Sequence, residues 1–323
     1  MRDVSRRALL AGAAASSLLA QAPSLEQRLA LPSGVVDAVL DTDTYNEIDD
    51  QFAVAYALRS PERMRIEAVY AAPYLNDRST SAADGMQKSY EEILRILGRL
   101  KVDPAKFAYT GSKQFMQRAG VPVESPAATD LIAKAMKPRQ GPLYVLTVGA
   151  PTNVSSAILM EPKIKDKIVV VWLGGQPFDW RTAREFNLQQ DIHSSRVLYD
   201  SGVPLVNIPT KNVSEHLRTT VAEVDQFLKG KSPIADYLAS EFTTYAKAHS
   251  PSMTFAYSKV IWDISAVAWL IEPKWIPSKI VPSPVLTDDF RYEQRDGRHV
   301  VRVATECNRD RVFDDLFRKL TKS

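Results

Sequence analysis

The sequence has only one cysteine, Cys307, among its 323 residues. An intrachain disulfide is therefore excluded, and the core has to hold the fold. The formal net charge is only +3 at pH 7, so the chain lacks the strong positive field with which proteins bind a nucleic-acid backbone. After residue 22 it also lacks an apolar run long enough to span a bilayer. We therefore expect neither nucleic acid nor a stable membrane span to be part of its function.

Residues 1–22 have the order of an export signal. Arg6 and Arg7 precede an apolar run from Ala8 to Ala20, and small residues follow it. The segment SRRALL resembles a twin-arginine signal, which implies export of an already folded protein. We expect a periplasmic protein with a signal over 1–22, a spacer over 23–34 and one domain over 35–323. The alternative is an uncleaved amphipathic tail.

Short apolar runs alternate with segments of helical spacing. The runs are VVDAVL, RIEAVYAA, KFAYT, LYVLTV, KIVVVWL and VPLVNI, and the helical segments between them cover 49–58, 81–97, 127–136, 153–160 and 194–200. This order predicts an α/β fold with a mainly parallel sheet and helices on both faces. Helical insertions are predicted after residue 213. Residues 290–303, around Asp296-Gly297, predict a C-terminal β-hairpin.

Five acidic residues fall within ten positions after the first apolar run: Asp41, Asp43, Glu47, Asp49 and Asp50. Ligands of open α/β sheets bind beyond the carboxyl ends of the strands, which is where this loop lies. Carboxylates held close together repel one another, so a proton or a cation must compensate. Oxygen ligands suit Ca²⁺ or Mg²⁺. Alternatively, some of these acids only cap the following helix, and Glu47 is the one best explained as a solvated loop residue.

The stretch DTDTYNEIDDQFA resembles the signature D-x-D-P-G-x-D-D of the inosine-uridine preferring nucleoside hydrolase family, with a longer TYNEI in place of the Pro-Gly turn. Later segments resemble further family motifs in the same order: VYAAPYLN, TVGAPTNV, LGG with REFNLQQD, and IWDISAVAWLIEP. The resemblance implies a Rossmann-like nucleoside hydrolase fold. It also implies an N-glycosyl hydrolase that cleaves nucleosides to free base and ribose, and a homodimer or homotetramer.

The resemblance assigns roles to the matching residues. The ligands of one Ca²⁺ would be Asp43, Asp49 or Asp50, the carbonyl group of Thr152, and Asp263. The ion would hold the ribose diol and a water molecule, and Asp43 would accept the proton of that water as it attacks the anomeric carbon. Asn76, Glu185 and Asn187 would bind the ribose hydroxyl groups.

Trp262 stands where many family members have a histidine that protonates the departing base. A tryptophan cannot donate that proton, but it can stack on a purine. The Trp-Asp pair resembles the family's purine-specific branch, so we expect purine nucleosides as substrates. The alternative is that Trp262 packs in the core. Tyr74 and Tyr257 are further candidates for the wall of a base pocket.

Two other functions fit parts of the sequence. LDTDT also matches the start of a haloacid-dehalogenase-like phosphatase, in which Asp41 would be the nucleophile and Asp43 the acid or base. Mg²⁺, Lys211 and the pair Asp288-Asp289 would complete that site. The other function is a non-catalytic protein that binds ribosyl or glycosyl compounds on the hydrolase fold, because the TYNEI loop and the missing histidine could have removed turnover.

Overall fold

The computed structural model of the chain describes residues 24–252 and 256–322. Its helices are α1 (Leu25–Arg28), α2 (Asp49–Leu58), α3 (Ala82–Leu100), α4 (Pro126–Ala135), α5 (Thr152–Met160), α6 (Phe186–Gln190), α7 (Ile192–Asp200), α8 (Val221–Leu228), α9 (Pro233–His249), α10 (Ile264–Ile271) and α11 (Arg309–Leu320). Its strands are β1 (Val36–Thr42), β2 (Met64–Ala71), β3 (Ala108–Tyr109), β4 (Leu143–Thr147), β5 (Ile168–Leu173), β6 (Leu205–Ile208), β7 (Arg218–Thr220), β8 (Ser258–Val260), β9 (Ser278–Pro282), β10 (Val285–Leu286), β11 (Tyr292–Glu293) and β12 (Val300–Ala304). The predicted export signal lies outside the described residues.

The central sheet has the strand order β3-β2-β1-β4-β5-β6-β12-β9 over the described ranges. All neighbouring strands from β3 to β12 pair in parallel, and β9 pairs antiparallel with β12. Alternate side chains enter two apolar clusters: Leu40 and Val171 belong to one, and Val39 and Val170 to the other. Burial of both faces explains why these strands read as continuous apolar runs. The predicted α/β fold with a mainly parallel sheet is confirmed.

Helix α2 begins and ends where the apolar spacing predicts, at Asp49 and Leu58. Side-chain caps fix two other starts: the hydroxyl group of Ser81 accepts a hydrogen bond from the backbone of Asp84, and that of Ser125 from the backbone of Ala128. Since β1, β2, β4, β5 and β6 are parallel, the loops that follow them emerge at one edge of the sheet. The acidic loop lies at this edge.

The predicted C-terminal hairpin is wrong. Gly297 does lie in a turn, with a φ of +74°, but the strands on its two sides do not pair with each other. Strand β11 pairs with β10, and β12 enters the central sheet between β6 and β9. Val301 and Val303 of β12 are buried there, and an isolated two-stranded hairpin offers little apolar surface for such side chains.

The packed part of the chain starts earlier than the predicted spacer allows. Residues 25–28 form α1, which Ser24 caps, and the side chain of Leu29 is fully buried. Arg302 Nε donates a hydrogen bond to the carbonyl oxygen of Leu29 at 2.8 Å. Burial of Leu29 thus attaches this segment to the domain. Over the described ranges, no helix combines the length and apolarity needed to cross a membrane.

Candidate functional site

One cavity of about 360 Å³ opens at the edge of the sheet where the parallel strands end. Its lining residues come from the end of β5, from the loops after β1, β2, β4, β5 and β6, from the first turns of α2 and α6, and from the segment before α10: Asp43, Asn46, Glu47, Asp49, Asp50, Asn76, Val148, Leu173, Gln176, Glu185, Phe186, Asn187, Thr210, Lys211, Trp262 and Asp263. The fold therefore brings together eight of the predicted site residues: Asp43, Asp49, Asp50, Asn76, Glu185, Asn187, Trp262 and Asp263.

Three buried carboxylates form the centre of the cavity wall. One oxygen each of Asp49, Asp50 and Asp263 lies within 4.8 Å of the others. Thr42 Oγ1 donates a hydrogen bond to Asp50 Oδ1 at 2.5 Å. The backbone N–H of Trp262 donates to Asp49 Oδ2 at 3.1 Å, which holds the segment before α10 against the start of α2. Oxygens this close could share one cation.

Asp43 adds a fourth carboxylate with unused hydrogen-bonding capacity. Both of its carboxylate oxygens are buried and have no hydrogen-bond partner among the described residues. Gly149 packs directly against it: a Cβ atom at this position would stand 3.1 Å from Asp43 Cγ and 3.1 Å from Ala72 Cβ. A buried acceptor without a partner requires an explanation such as a bound ion or water. Asp43 therefore offers two free oxygens to a ligand.

Burial raises the pKa of every carboxyl group in this cluster. For Asp43, repulsion by Asp50 and Asp49 adds to burial, and its pKa lies well above the ordinary value. Burial and the charge of Asp49 raise the pKa of Asp50 to about 8. Burial also raises the pKa of Asp49, although Lys259 opposes the shift. The pKa of Asp263 is raised well above its usual range by burial and by the three other acids. Without a cation, the cluster retains protons at neutral pH.

Glu185 caps the start of α6 and faces the same cavity. Its carboxylate accepts hydrogen bonds from the backbone N–H groups of Gly175 at 2.9 Å, Asn187 at 3.0 Å and Leu188 at 3.1 Å. Burial raises the pKa of Glu185 to about 6, and these hydrogen bonds limit the rise. The backbone thus fixes the orientation of an anionic acceptor at the cavity wall.

Two asparagines are held by their amide groups. Asn187 Nδ2 donates to the carbonyl oxygens of Val148 at 3.0 Å and Leu173 at 3.1 Å, which ties it to the ends of β4 and β5. Asn76 Nδ2 donates to Asn46 Oδ1 at 2.6 Å, which links the loop after β2 to the acidic loop. Both asparagines are therefore positioned by neighbouring loops of the sheet edge.

Trp262 is partly buried and lines the cavity next to Asp263, whereas the two tyrosines do not line it. Tyr74 is fully buried, and the backbone of Tyr74 lies against Gly85 of α3. Tyr257 is half-buried and packs against Phe242. Neither tyrosine lines the cavity in this structure, and their role as walls of a base pocket stays a prediction.

Thr152 also lies outside the cavity lining. Its hydroxyl group donates to Asp191 Oδ2 at 2.8 Å, and its backbone forms the first turn of α5. Because Thr152 does not line the cavity, the structure does not place its carbonyl group, predicted as a metal ligand, beside the acids. From this segment, Val148 is the residue that reaches the cavity.

The phosphatase arrangement is not formed. Asp41, its required nucleophile, is buried outside the cavity and accepts a hydrogen bond from Asn153 Nδ2 at 2.8 Å. Burial raises the pKa of Asp41 to about 7, against the effect of that hydrogen bond. Asp288 and Asp289 are exposed and do not line the cavity, although Lys211 does.

The sequence does not indicate a role for Lys259, and it predicts Glu47 to be a solvated loop residue. Lys259 Nζ lies 2.5 Å from Glu47 Oε2 and 3.8 Å from Asp49 Oδ1, so Glu47 is ion-paired rather than simply solvated. Lys259 and Glu47 are 212 positions apart, and no local pattern signals such a pair. Polar residues of the lining were also missed, namely Asn46, Gln176 and Thr210.

Known proteins resemble this chain over most of its length. Residues 38–314 match the inosine-uridine preferring nucleoside hydrolase family. The pyrimidine-specific ribonucleoside hydrolase RihA of Salmonella paratyphi A is 24% identical over 249 residues, which cover 70% of this chain and 77% of the relative. A plant nucleoside hydrolase, the PpNRh1 enzyme, superposes with a TM-score of 0.70 at 18% identity, covering 89% of this chain and 99% of its own. The purine-preferring ribonucleoside hydrolase from Gardnerella vaginalis superposes with a TM-score of 0.68 at 20% identity, and the superposition covers 88% of this chain and 98% of the other.

Proposed function

Since this chain belongs to the inosine-uridine preferring nucleoside hydrolase family, we propose that it hydrolyses the N-glycosidic bond of purine nucleosides with the help of Ca²⁺. Membership makes the protein an N-glycosyl hydrolase, and the products would be the free base and ribose. One observation carries the proposal: four buried carboxylates share a cavity with Glu185, Asn187 and Trp262.

The donor set fits a hard divalent cation. Oxygens of Asp49, Asp50 and Asp263 lie within 4.8 Å of one another, and Asp43 has two oxygens without partners among the described residues. Ca²⁺ takes carboxylate and carbonyl oxygens as ligands. We propose the carbonyl oxygen of Val148 as the neutral ligand in place of that of Thr152. It accepts one hydrogen bond from Asn187 and keeps a second lone pair.

When bound, the cation would supply Lewis-acid chemistry that holds the ribose diol and lowers the pKa of water. Asp43 accepts the proton of the attacking water, because its carboxylate faces the cavity and has no hydrogen-bond partner among the described residues. The surrounding carboxylates stabilise the positive charge that develops on the ribose ring in an oxocarbenium-like transition state. Glu185 and Asn187 orient the ribose hydroxyl groups through hydrogen bonds.

The position of Trp262 supports the proposed preference for purine nucleosides. Its partly buried ring lines the cavity beside Asp263, so a flat base can stack on it while the ribose lies over the acids. No histidine lines the cavity within residues 24–252 and 256–322, and we propose stacking on Trp262 as the means of activating the departing base. The relatives' names include both pyrimidine-specific and purine-preferring hydrolases, so this preference depends on Trp262.

The test is a reducing-sugar assay with inosine, adenosine, guanosine, uridine and cytidine, with excess Ca²⁺ or with a chelator. Purine nucleosides are expected to be cleaved fastest, and the chelator is expected to abolish cleavage. Asp43→Asn is expected to lower kcat by about 100-fold or more, as for loss of a general base. Asp166→Asn is the matched control, since Asp166 is exposed and remote from the cavity. If no nucleoside is cleaved with excess Ca²⁺, the proposal is wrong.

We also propose that the protein is exported to the periplasm. The support is the twin-arginine-like sequence within residues 1–22. Cell fractionation is expected to find the full chain in the periplasm and the double variant Arg6→Lys, Arg7→Lys in the cytoplasm. Equal distribution of the two proteins would contradict export by this signal.

A further inference from the structure

Lys259 is the basic residue that contacts the acid cluster. Its side chain is 7% exposed, and its Nζ lies 2.5 Å from Glu47 Oε2 and 3.8 Å from Asp49 Oδ1. Among the described residues, no other lysine, arginine or histidine forms an ion pair with Asp43, Asp49, Asp50 or Asp263. One fixed positive charge thus lies at the edge of four buried carboxylates.

The ion pair joins two distant parts of the chain. Glu47 lies in the acidic loop between β1 and α2, whereas Lys259 lies in β8, three residues before Trp262. Tyr245 of α9 supports both partners: its hydroxyl group donates to Glu47 Oε1 at 3.3 Å, and Lys259 Nζ lies 5.5 Å from its ring centroid. These contacts brace the acidic loop against the segment that carries Asp263.

We propose that Lys259 is a positioning residue that supplies the counter-charge of the acid cluster while no cation is bound. This inference rests on the proposed cation site. The ammonium group attracts Asp49 and offsets part of the repulsion among the four acids. The same group repels an incoming cation. Lys259 therefore stabilises the empty site more than the loaded site, and it keeps the acidic loop in place for binding.

The test compares melting temperatures of the full protein in a chelator and in excess CaCl₂. Lys259→Met keeps the unbranched, apolar part of the side chain and removes its charge. We expect this variant to lose more stability in the chelator than in CaCl₂, so that its calcium-induced rise in Tm exceeds the wild-type rise by about 3 °C or more. Lys259→Arg keeps the charge and is expected to show the wild-type rise. Lys259→Gln is the second neutral variant, for use if Lys259→Met does not fold.

Lys319 provides the matched control. It is also a buried lysine, with a side chain 6% exposed, and it pairs with Glu62 and Asp315 away from the cavity. Lys319→Met is expected to lower Tm equally with and without CaCl₂. Equal losses in the neutral Lys259 variants as well would overturn the inference and leave Lys259 as an ordinary packing residue.

Failure of the cation proposal gives a different result. If CaCl₂, MgCl₂ and MnCl₂ all leave the wild-type Tm unchanged, the proposed cation site itself is wrong. If the wild type responds and the neutral Lys259 variants respond by the same amount, only the role of Lys259 is wrong. Isothermal titration adds a second readout: Lys259→Met is expected to bind Ca²⁺ more tightly than the wild type, since a repelling charge has been removed. Weaker binding would contradict the counter-charge role.

Discussion

Replacing Asp263 by asparagine is expected to have opposite effects on the empty and the calcium-loaded protein. In the empty protein at high pH, where the cluster has lost its protons, Asp263 is one of the mutually repelling buried acids, so removal of its charge relieves repulsion. In the loaded protein, the same carboxylate attracts the cation, so its removal weakens binding. The sign of the change in stability should therefore depend on whether Ca²⁺ is present.

The spacing of the acids gives the size of the effect. Oxygens of Asp49, Asp50 and Asp263 lie within 4.8 Å of one another. Two unit charges at such a distance repel by about 3 to 4 kcal/mol at an effective dielectric constant of about 20. Retained protons relieve much of this repulsion, so a net gain of about 2 kcal/mol is expected for the empty variant, which corresponds to a rise in Tm of roughly 4 °C.

The raised pKa values determine how the stability change caused by Asp263→Asn depends on pH. Burial and Asp49 raise the pKa of Asp50 to about 8, far above the value of an unfolded aspartate. A carboxyl group of this kind binds more protons in the folded state, so the empty protein loses stability as pH rises through the folded-state pKa. The advantage of Asp263→Asn in a chelator should thus be present at about pH 9 and absent at about pH 5.

Differential scanning fluorimetry of the wild type and Asp263→Asn, in a chelator and in CaCl₂ at both pH values, makes the comparison. Asp166→Asn serves again as the control, because its carboxylate is exposed. If Asp263→Asn is less stable than the wild type in the chelator at the higher pH, the picture of mutually repelling acids is refuted.

Three further outcomes follow from the site and its surroundings. Trp262→Ala should slow purine release by about tenfold while Ca²⁺ affinity stays within about twofold; equal loss of both, measured by kinetics and titration, would make Trp262 structural. Gly149→Ala should lower both kcat and Ca²⁺ affinity, because the new Cβ would stand 3.1 Å from Asp43 Cγ; unchanged kinetics and affinity would show that Asp43 adjusts freely. Burial raises the pKa of the Cys307 thiol to about 12, and the residue is partly exposed, so iodoacetamide should label it much more slowly in the native than in the unfolded protein; equal labelling rates in mass spectra would contradict this.

The sequence predicts much of the fold because its signals are local. Apolar runs buried on both faces of the sheet and the amphipathic spacing between them indicate the parallel strands and their helices. The acidic loop is visible for the same reason, since its acids are close in the chain. The pairing of β12 with β6 and β9 is not visible, because it depends on where a strand finds apolar partners far along the chain.

In the candidate site too, residues within local motifs are predictable from the sequence, whereas contacts between distant segments are not. Sequence motifs predict Asp43, Asp50 and Asp263 as site residues, and all three line one cavity in the structure. The motif around Thr152 does not show which residue of that segment reaches the cavity, and in the structure it is Val148. Lys259 cannot be recognised from the sequence, because its ion pair with Glu47 forms only when β8 packs beside the acidic loop. Contacts that depend on tertiary packing lie beyond what local patterns indicate.

The most direct test of the central claim is a crystal structure of the protein grown with CaCl₂. We expect one ion bound by oxygens of Asp43, Asp50 and Asp263 at about 2.3–2.6 Å, the usual range for Ca²⁺ ligands. An ion-free cluster at saturating CaCl₂, or an ion bound elsewhere with these carboxylates unengaged, would contradict the account.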